Sequence, residues 1–186
     1  MKRIITMILI FVSVASYAQI DNRIKQIREL YADYNKNLSN WDTYEIKWNT
    51  AGSYPSVVIY TDFDGKLMIK TADANEFSSG STEYYFYKDT IQFIYSASER
   101  LTTHWGADTV RYELLELRYY FDKGKVIKTL KKQFEGVEGQ DDKVDFKQMP
   151  NKTINHMEDN SANWKYYEEK ITDLLRFYSN LEKIFR

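Results

Sequence analysis

A chain of 186 residues with 26 basic and 27 acidic side chains carries a formal charge of −1, with no basic stripe for a nucleic acid to grip. It has no cysteine, which excludes disulfides, thiol nucleophiles and a lipid anchor on cysteine. Sixteen Tyr, ten Phe and four Trp against seven Gly and two Pro favour aromatic-rich strands on a half-buried pleat.

At the N-terminus Lys2 and Arg3 precede "IITMILIFVSVA", an apolar run too short to cross a bilayer as an ordinary helix, and then "SYA". Ser16 and Ala18 are small residues at the positions a signal peptidase reads. Residues 1–18 are therefore expected to be a signal peptide, with Gln19 first in the mature chain. The Ala-Gln junction resembles those of exported Bacteroidota proteins. Cleavage of residues 1–18, in a chain with no cysteine to carry a lipid, implies a periplasmic or extracellular protein with no membrane span thereafter. Residues 19–186 then read as a single α+β domain.

Ile20, Ile24, Ile27, Tyr31, Tyr34 and Leu38 recur at steps of three and four, which predicts an amphipathic helix over 20–39. Asp21 or Asn22 can cap it, and "NLSN" ends it. Over 43–132 the period falls to two, the mark of an antiparallel meander of six to eight curved strands. "SVVIYTDF" and "KLMIKT" flank Asp64-Gly65, a strong hairpin signal. "EFSSGS" separates that hairpin from a second, "EYYFY" and "TIQFIYSA", turning at Lys88-Asp89. "SERLTTHWGAD" reads as a longer loop. "TVRYELLELRYYF" and "GKVIKTL" form a third hairpin, turning at Asp122 to Gly124. Leu114-Leu115 interrupts the alternation of its long first strand and predicts a bulge there.

The hairpins echo one another. "FDGKLMIK" from Phe63 and "FDKGKVIK" from Phe121 differ by one inserted residue, and the middle hairpin keeps Phe86 and replaces the turn glycine with Asp89. These tyrosine-rich hairpins with glycine turns resemble MORN-type repeats, which would imply a stacked array. The interval from Phe63 to Phe86 is shorter than that from Phe86 to Phe121, whereas repeat arrays keep a fixed period. The similarity is therefore read as local hairpin chemistry, each hairpin being stable only beside its neighbours.

Residues 133–160 are polar and acidic and read as a long loop, with a short strand at "KVDF". A closing helix is predicted over 161–186, because Trp164, Tyr167, Ile171, Leu174, Tyr178, Leu181 and Phe185 keep helical spacing without a miss. "EYYFY" and "TIQFIY" are apolar on both faces. Either the centre of the sheet is covered on both sides, or the sheet closes partly into a barrel.

Catalytic and metal motifs are missing. The sequence has no G-x-S-x-G, no H-E-x-x-H and no glycine-rich phosphate loop, and its two histidines, His104 and His156, fall in different predicted loops. No catalytic residue, metal or cofactor is expected. Asp62 and Asp64 lack the other ligands of a calcium loop and read as turn residues. Glu113 and Glu116 fall on opposite faces of one strand, and Glu83 and Glu99 meet only if the fold brings them together. The exposed candidate is "HWGAD", where His104, Trp105 and Asp108 could contact a ligand or partner. Trp105 reads either as an interface anchor or as a ring folded back over the end of the core. Asp89-Thr90-Ile91 and Asp108-Thr109-Val110 resemble the O-glycosylation signal of exported Bacteroidota proteins. The expected function is that of an exported, non-catalytic binding or inhibitor-like protein. Its partner would be a protein, a glycan or an apolar small molecule, with no nucleic acid. The alternatives are a periplasmic carrier enclosing an apolar ligand and a carboxylate-based hydrolase.

Overall fold

The computed structural model describes residues 2–50, 52–62, 64–103, 109–137, 145–155 and 164–185. Its backbone divides into two compact units, Met1–Ser39 and Asn40–Arg186. The first is helix α1, Lys2–Asn37, running into a 3-10 turn at Leu38–Asn40. Near its end the amides of Asn35 and Asn37 bond back to the carbonyls of Tyr31 and Asp33. Such local bonds offer the backbone an alternative to further helix. Among its described side chains the buried ones are Ile24, Ile27 and Tyr34, all members of the predicted stripe. Among the described residues no helix is long and apolar enough to cross a membrane.

The second unit is α+β. Eight antiparallel strands lie side by side in chain order: β1 Asp42–Lys47, β2 Ser56–Thr61, β3 Lys66–Ala74, β4 Ser78–Tyr87, β5 Thr90–Thr103, β6 Val110–Asp122, β7 Lys125–Val137 and β8 Lys152–Ile154. Helix α2, Trp164–Phe185, follows. The sheet is open, with β1 and β8 at its edges. The barrel alternative is therefore not taken up.

Register decides which residues share a face. One row runs Ile59–Ile69–Tyr84–Ile94–Tyr119–Thr129–Ile154 across seven strands, and nearer the turns Leu67, Phe86 and Ile91 are in register, as are Phe121 and Val126. Their apolar members build one hydrophobic cluster that also takes in Tyr167 and Leu174 of α2, with Val126, Ile154, Ile171, Tyr178 and Leu181 at its margin. The seam read from the sequence is thus the docked side of α2. The ring of Tyr167 lies 5.1 Å from that of Tyr119, and the Tyr178 hydroxyl sits 3.3 Å from that of Thr61. On the far face Met68, Tyr85, Phe93 and Tyr120 form a row in register that is buried as well. The sheet centre is buried on both faces, as its double-sided apolar strands require.

The two related hairpins share one geometry. Lys88-Asp89 and Lys123-Gly124 both adopt positive φ at two successive residues, the I′ turn that matches strand twist. Each turn is followed by a register shift that leaves one extra residue: Gln92 in β5 and Ile127 in β7. The bulge predicted at Leu114-Leu115 is absent. β6 pairs without interruption there, Leu115 with Ser98 and Gln133, Leu114 with Glu99 and Phe134. Consecutive leucines occur because both faces are part-buried at that level, so neither position has to be polar.

Three strand ends differ from the sequence reading. β5 continues through "SERLTT" to Thr103, β4 begins inside the Gly/Ser cluster at Ser78, and β7 runs on to Val137. The short strand is Lys152–Ile154, whereas Phe146, the end of "KVDF", starts a 3-10 turn capped by Asp145. Here the sheet extends past the cover of α2, so its strands carry polar residues on the helix face and lose the apolar alternation that identifies a strand.

Candidate functional site

The residues singled out by sequence, His104, Trp105 and Asp108, lie outside the described residues, as does His156. The strands that carry their loop are described. Thr103 at the end of β5 pairs with Val110 at the start of β6, and Thr102 with Arg111. Directly beneath, an open cleft of about 450 Å³ is lined by Thr102, Arg111, Tyr112, Glu113, Glu135 and Gly136.

The cleft is a consequence of register. Glu113 of β6 stands opposite Glu135 of β7, two like charges in direct cross-strand opposition, a pairing that is destabilising in isolation. Gln133, on the same face of β7, offsets it. Its amide nitrogen donates to Glu113 Oε1 at 2.8 Å and to Glu135 Oε1 at 3.2 Å. The two carboxylate oxygens therefore lie within about 6 Å of each other, the separation class of paired-carboxylate sites. On the other face of the sheet the Tyr112 ring lies 5.7 Å from that of Phe134 and rests over Gly136. A Cβ at residue 136 would come within 2.9 Å of Tyr112 and Phe134 ring atoms, so only glycine lets these rings lie flat against the strand.

A second groove of about 390 Å³ adjoins the first and shares Glu135 with it. It opens where β8 pairs only with Thr129, Leu130 and Lys131, and is walled by Lys131, Gln133, Lys152, Met149 and Pro150. Together the two form a polar shelf across the ends of β5, β6 and β7.

The far face carries an ionic cluster that sequence reasoning missed. Glu116 is buried and pairs with Arg118 at 2.5 Å and with Lys132 at 3.9 Å, while the Tyr95 hydroxyl donates to its Oε2 at 3.0 Å. Lys132 also donates to the Lys147 carbonyl at 3.2 Å and stands over the Phe146 ring. It thereby ties the segment after β7 back onto the sheet. The arrangement organises structure, with Lys132 also reaching the wall of the second groove. Glu83 and Glu99, the other carboxylates considered, do not meet. Glu99 pairs with Ser79, four residues along β4 from Glu83, or about 13 Å at strand rise.

Asp62 behaves as a turn residue, its Oδ1 accepting from the backbone N–H groups of Asp64 at 2.9 Å and Lys66 at 2.8 Å. Among the described residues no group of three or more Asp, Glu or His is placed to hold a metal ion. Comparison with protein-family models, curated proteins and solved structures gives no significant match for this chain.

Beneath α2, desolvation by burial pushes up the phenol pKa of Tyr84 and of Tyr167. Both stay neutral at ordinary pH. In the unfolded chain a tyrosine ionises near pH 10. Stability from these residues is therefore complete below about pH 10 and is lost as pH rises above it, because only the unfolded chain then releases the protons freely. Melting temperature should fall steeply above pH 10, and Tyr84→Phe should lessen that slope. An equal slope in the variant would show that the buried phenol does not govern it.

Proposed function

We propose that the protein is exported, losing residues 1–18, and acts by binding a polar partner, a protein or a glycan, at the shelf on the ends of β5, β6 and β7. The carrying observation is the cleft itself. Two carboxylates, the amide that bridges them and a guanidinium are gathered on the paired strands β5, β6 and β7, where β5 and β6 lead into the segment that holds Trp105. Sites built on strands hold their geometry better than sites on loops. The region under α2 favours this reading over a carrier, since side chains such as Tyr119, Tyr167 and Leu174 fill it.

The test screens wild type against a panel of oligosaccharides and exported proteins by thermal shift. It then measures affinity for Trp105→Ala and for the double variant Glu113→Ala/Glu135→Ala. Each should weaken binding by about 2 kcal/mol or more, the scale of an interface anchor, with the melting temperature of Trp105→Ala nearly unchanged. A loss of several kcal/mol in fold stability for Trp105→Ala would make that ring a core lid instead. Turnover of any panel member, abolished by Glu113→Gln, would replace binding with hydrolysis. Export is read from the same preparation: the mature protein should start at Gln19 outside the cytoplasm, and a membrane-bound mass retaining Met1 would overturn it.

A further inference from the structure

The two edges of the sheet are unlike. β8 is a three-residue strand, which leaves little edge to pair with. β1 is six residues long, contains no proline, and is exposed at every position. Its alternation separates two kinds of side chain. Thr43, Glu45 and Lys47 point to one face, while Tyr44 and Ile46 point to the other, continued by Trp48 beyond the strand. Those three apolar residues are 38%, 39% and 47% exposed.

The backbone fixes which groups face outward. The Trp48 N–H donates to the Pro55 carbonyl, so even-numbered positions bond toward β2. In an antiparallel pair the odd positions then aim their N–H and C=O groups away from it. For Thr43, Glu45 and Lys47 no partner for those groups is found among the described residues. An exposed strand edge of this kind is a template for another strand.

We propose that this edge pairs with the same edge of a second copy, antiparallel, about a two-fold axis through Ile46. The charges select that register. An axis through Glu45 would oppose Glu45 to itself, and one through Lys47 would oppose Lys47 to itself. An axis through Tyr44 would leave Lys47 facing Trp41. Only the axis through Ile46 sets Glu45 opposite Lys47 of the second copy and, by symmetry, Lys47 opposite its Glu45. The same axis brings Ile46 against its own counterpart at the closest side-chain spacing and Tyr44 against Trp48, covering the exposed apolar row. Within one chain Glu45 and Lys47 already pair at 2.9 Å. In the dimer these charges join a four-membered alternation, and the interface is isologous and closes on itself.

Sedimentation velocity over a range of concentrations reads the result. Wild type should move from monomer to dimer as concentration rises. Glu45→Lys, which places like charges opposite each other twice, should raise the dimer dissociation constant about tenfold or more. The double variant Glu45→Lys/Lys47→Glu restores opposite charges in the same register and should return the constant to near the wild-type value. Both positions are exposed, so circular dichroism should be unchanged in all three. A wild type that stays monomeric at every concentration would overturn the proposal. So would a dimer indifferent to the single reversal, or one that the double variant fails to restore. Uptake of a foreign strand by β1 in a protein that never self-associates would also overturn it, by giving the edge to another partner.

Discussion

Leu174→Ala is expected to lower the free energy of unfolding by about 2–5 kcal/mol, measured by urea denaturation followed by circular dichroism. Leu174 is 4% exposed and belongs to the cluster formed by the central strands. Truncation there removes transfer free energy and leaves a cavity that α2 cannot close without moving Tyr167 or Tyr178 from their contacts at Tyr119 and Thr61. Leu174 lies near the middle of the α2 contact, between Tyr167 and Tyr178, so the penalty should appear mainly as faster unfolding of a helix-docked state. A change below about 0.5 kcal/mol, the range of surface substitutions, would mean that α2 is not docked through Leu174.

The second large effect is expected at Glu116. Glu116→Ala should cost about 3–5 kcal/mol, because it leaves the Lys132 ammonium, 5% exposed, without its countercharge. The expected asymmetry is the informative part. Breaking a buried pair on one side is costly, whereas replacing both partners by apolar residues is often neutral. The double variant Glu116→Leu/Lys132→Met should therefore recover most of the loss. Arg118, whose side chain is 30% exposed, can turn toward solvent and should matter less. If Glu116→Ala and the double variant are equally destabilised, the cost comes from lost packing or the Tyr95 contact, and the ion pair is not its source.

Where an element's identity is decided by its own residues, the sequence was readable. The α2 seam depends only on spacing within α2, and the positions read from it, Tyr167 and Leu174, are the buried ones. The turns at Lys88-Asp89 and Lys123-Gly124 likewise follow from short-range backbone preference. Their bulges at Gln92 and Ile127 left no trace in the residue pattern, since a bulge is a mismatch between two strands. Strand length was underestimated for a related reason. Arg100 and Thr102 in β5, and Lys131, Gln133 and Glu135 in β7, lie on the helix face beyond α2. Without an apolar cover there, their strands look like loops.

The residues singled out for a site, His104, Trp105 and Asp108, lie outside the described residues, and the cleft between β6 and β7 was not legible. Glu113 was weighed against Glu116, its neighbour in sequence, while its partner in space is Glu135, in a stretch that reads as loop. The signal that could have found it was the alternation of "KKQFEGV", which sets Phe134 and Gly136 on one face and Gln133 and Glu135 on the other. The Glu116–Lys132 pair was hidden in the same way, because it exists only once β6 and β7 are in register.

The strand order has a consequence for how the chain is assembled. Every strand's neighbour in the sheet is its neighbour in sequence, so no pairing has to wait for a distant segment. Loop closure between successive strands costs little entropy, and local topology of this kind folds faster than Greek-key or parallel sheets of similar size. A chain emerging from the ribosome N-terminus first can add β2 to β1, β3 to β2 and so on, each new strand meeting an edge already in place. Until α2 arrives, the row from Ile59 to Ile154 stays uncovered. A growing apolar surface is therefore carried until α2 emerges, and the docking of that helix is the step that ends its exposure to aggregation.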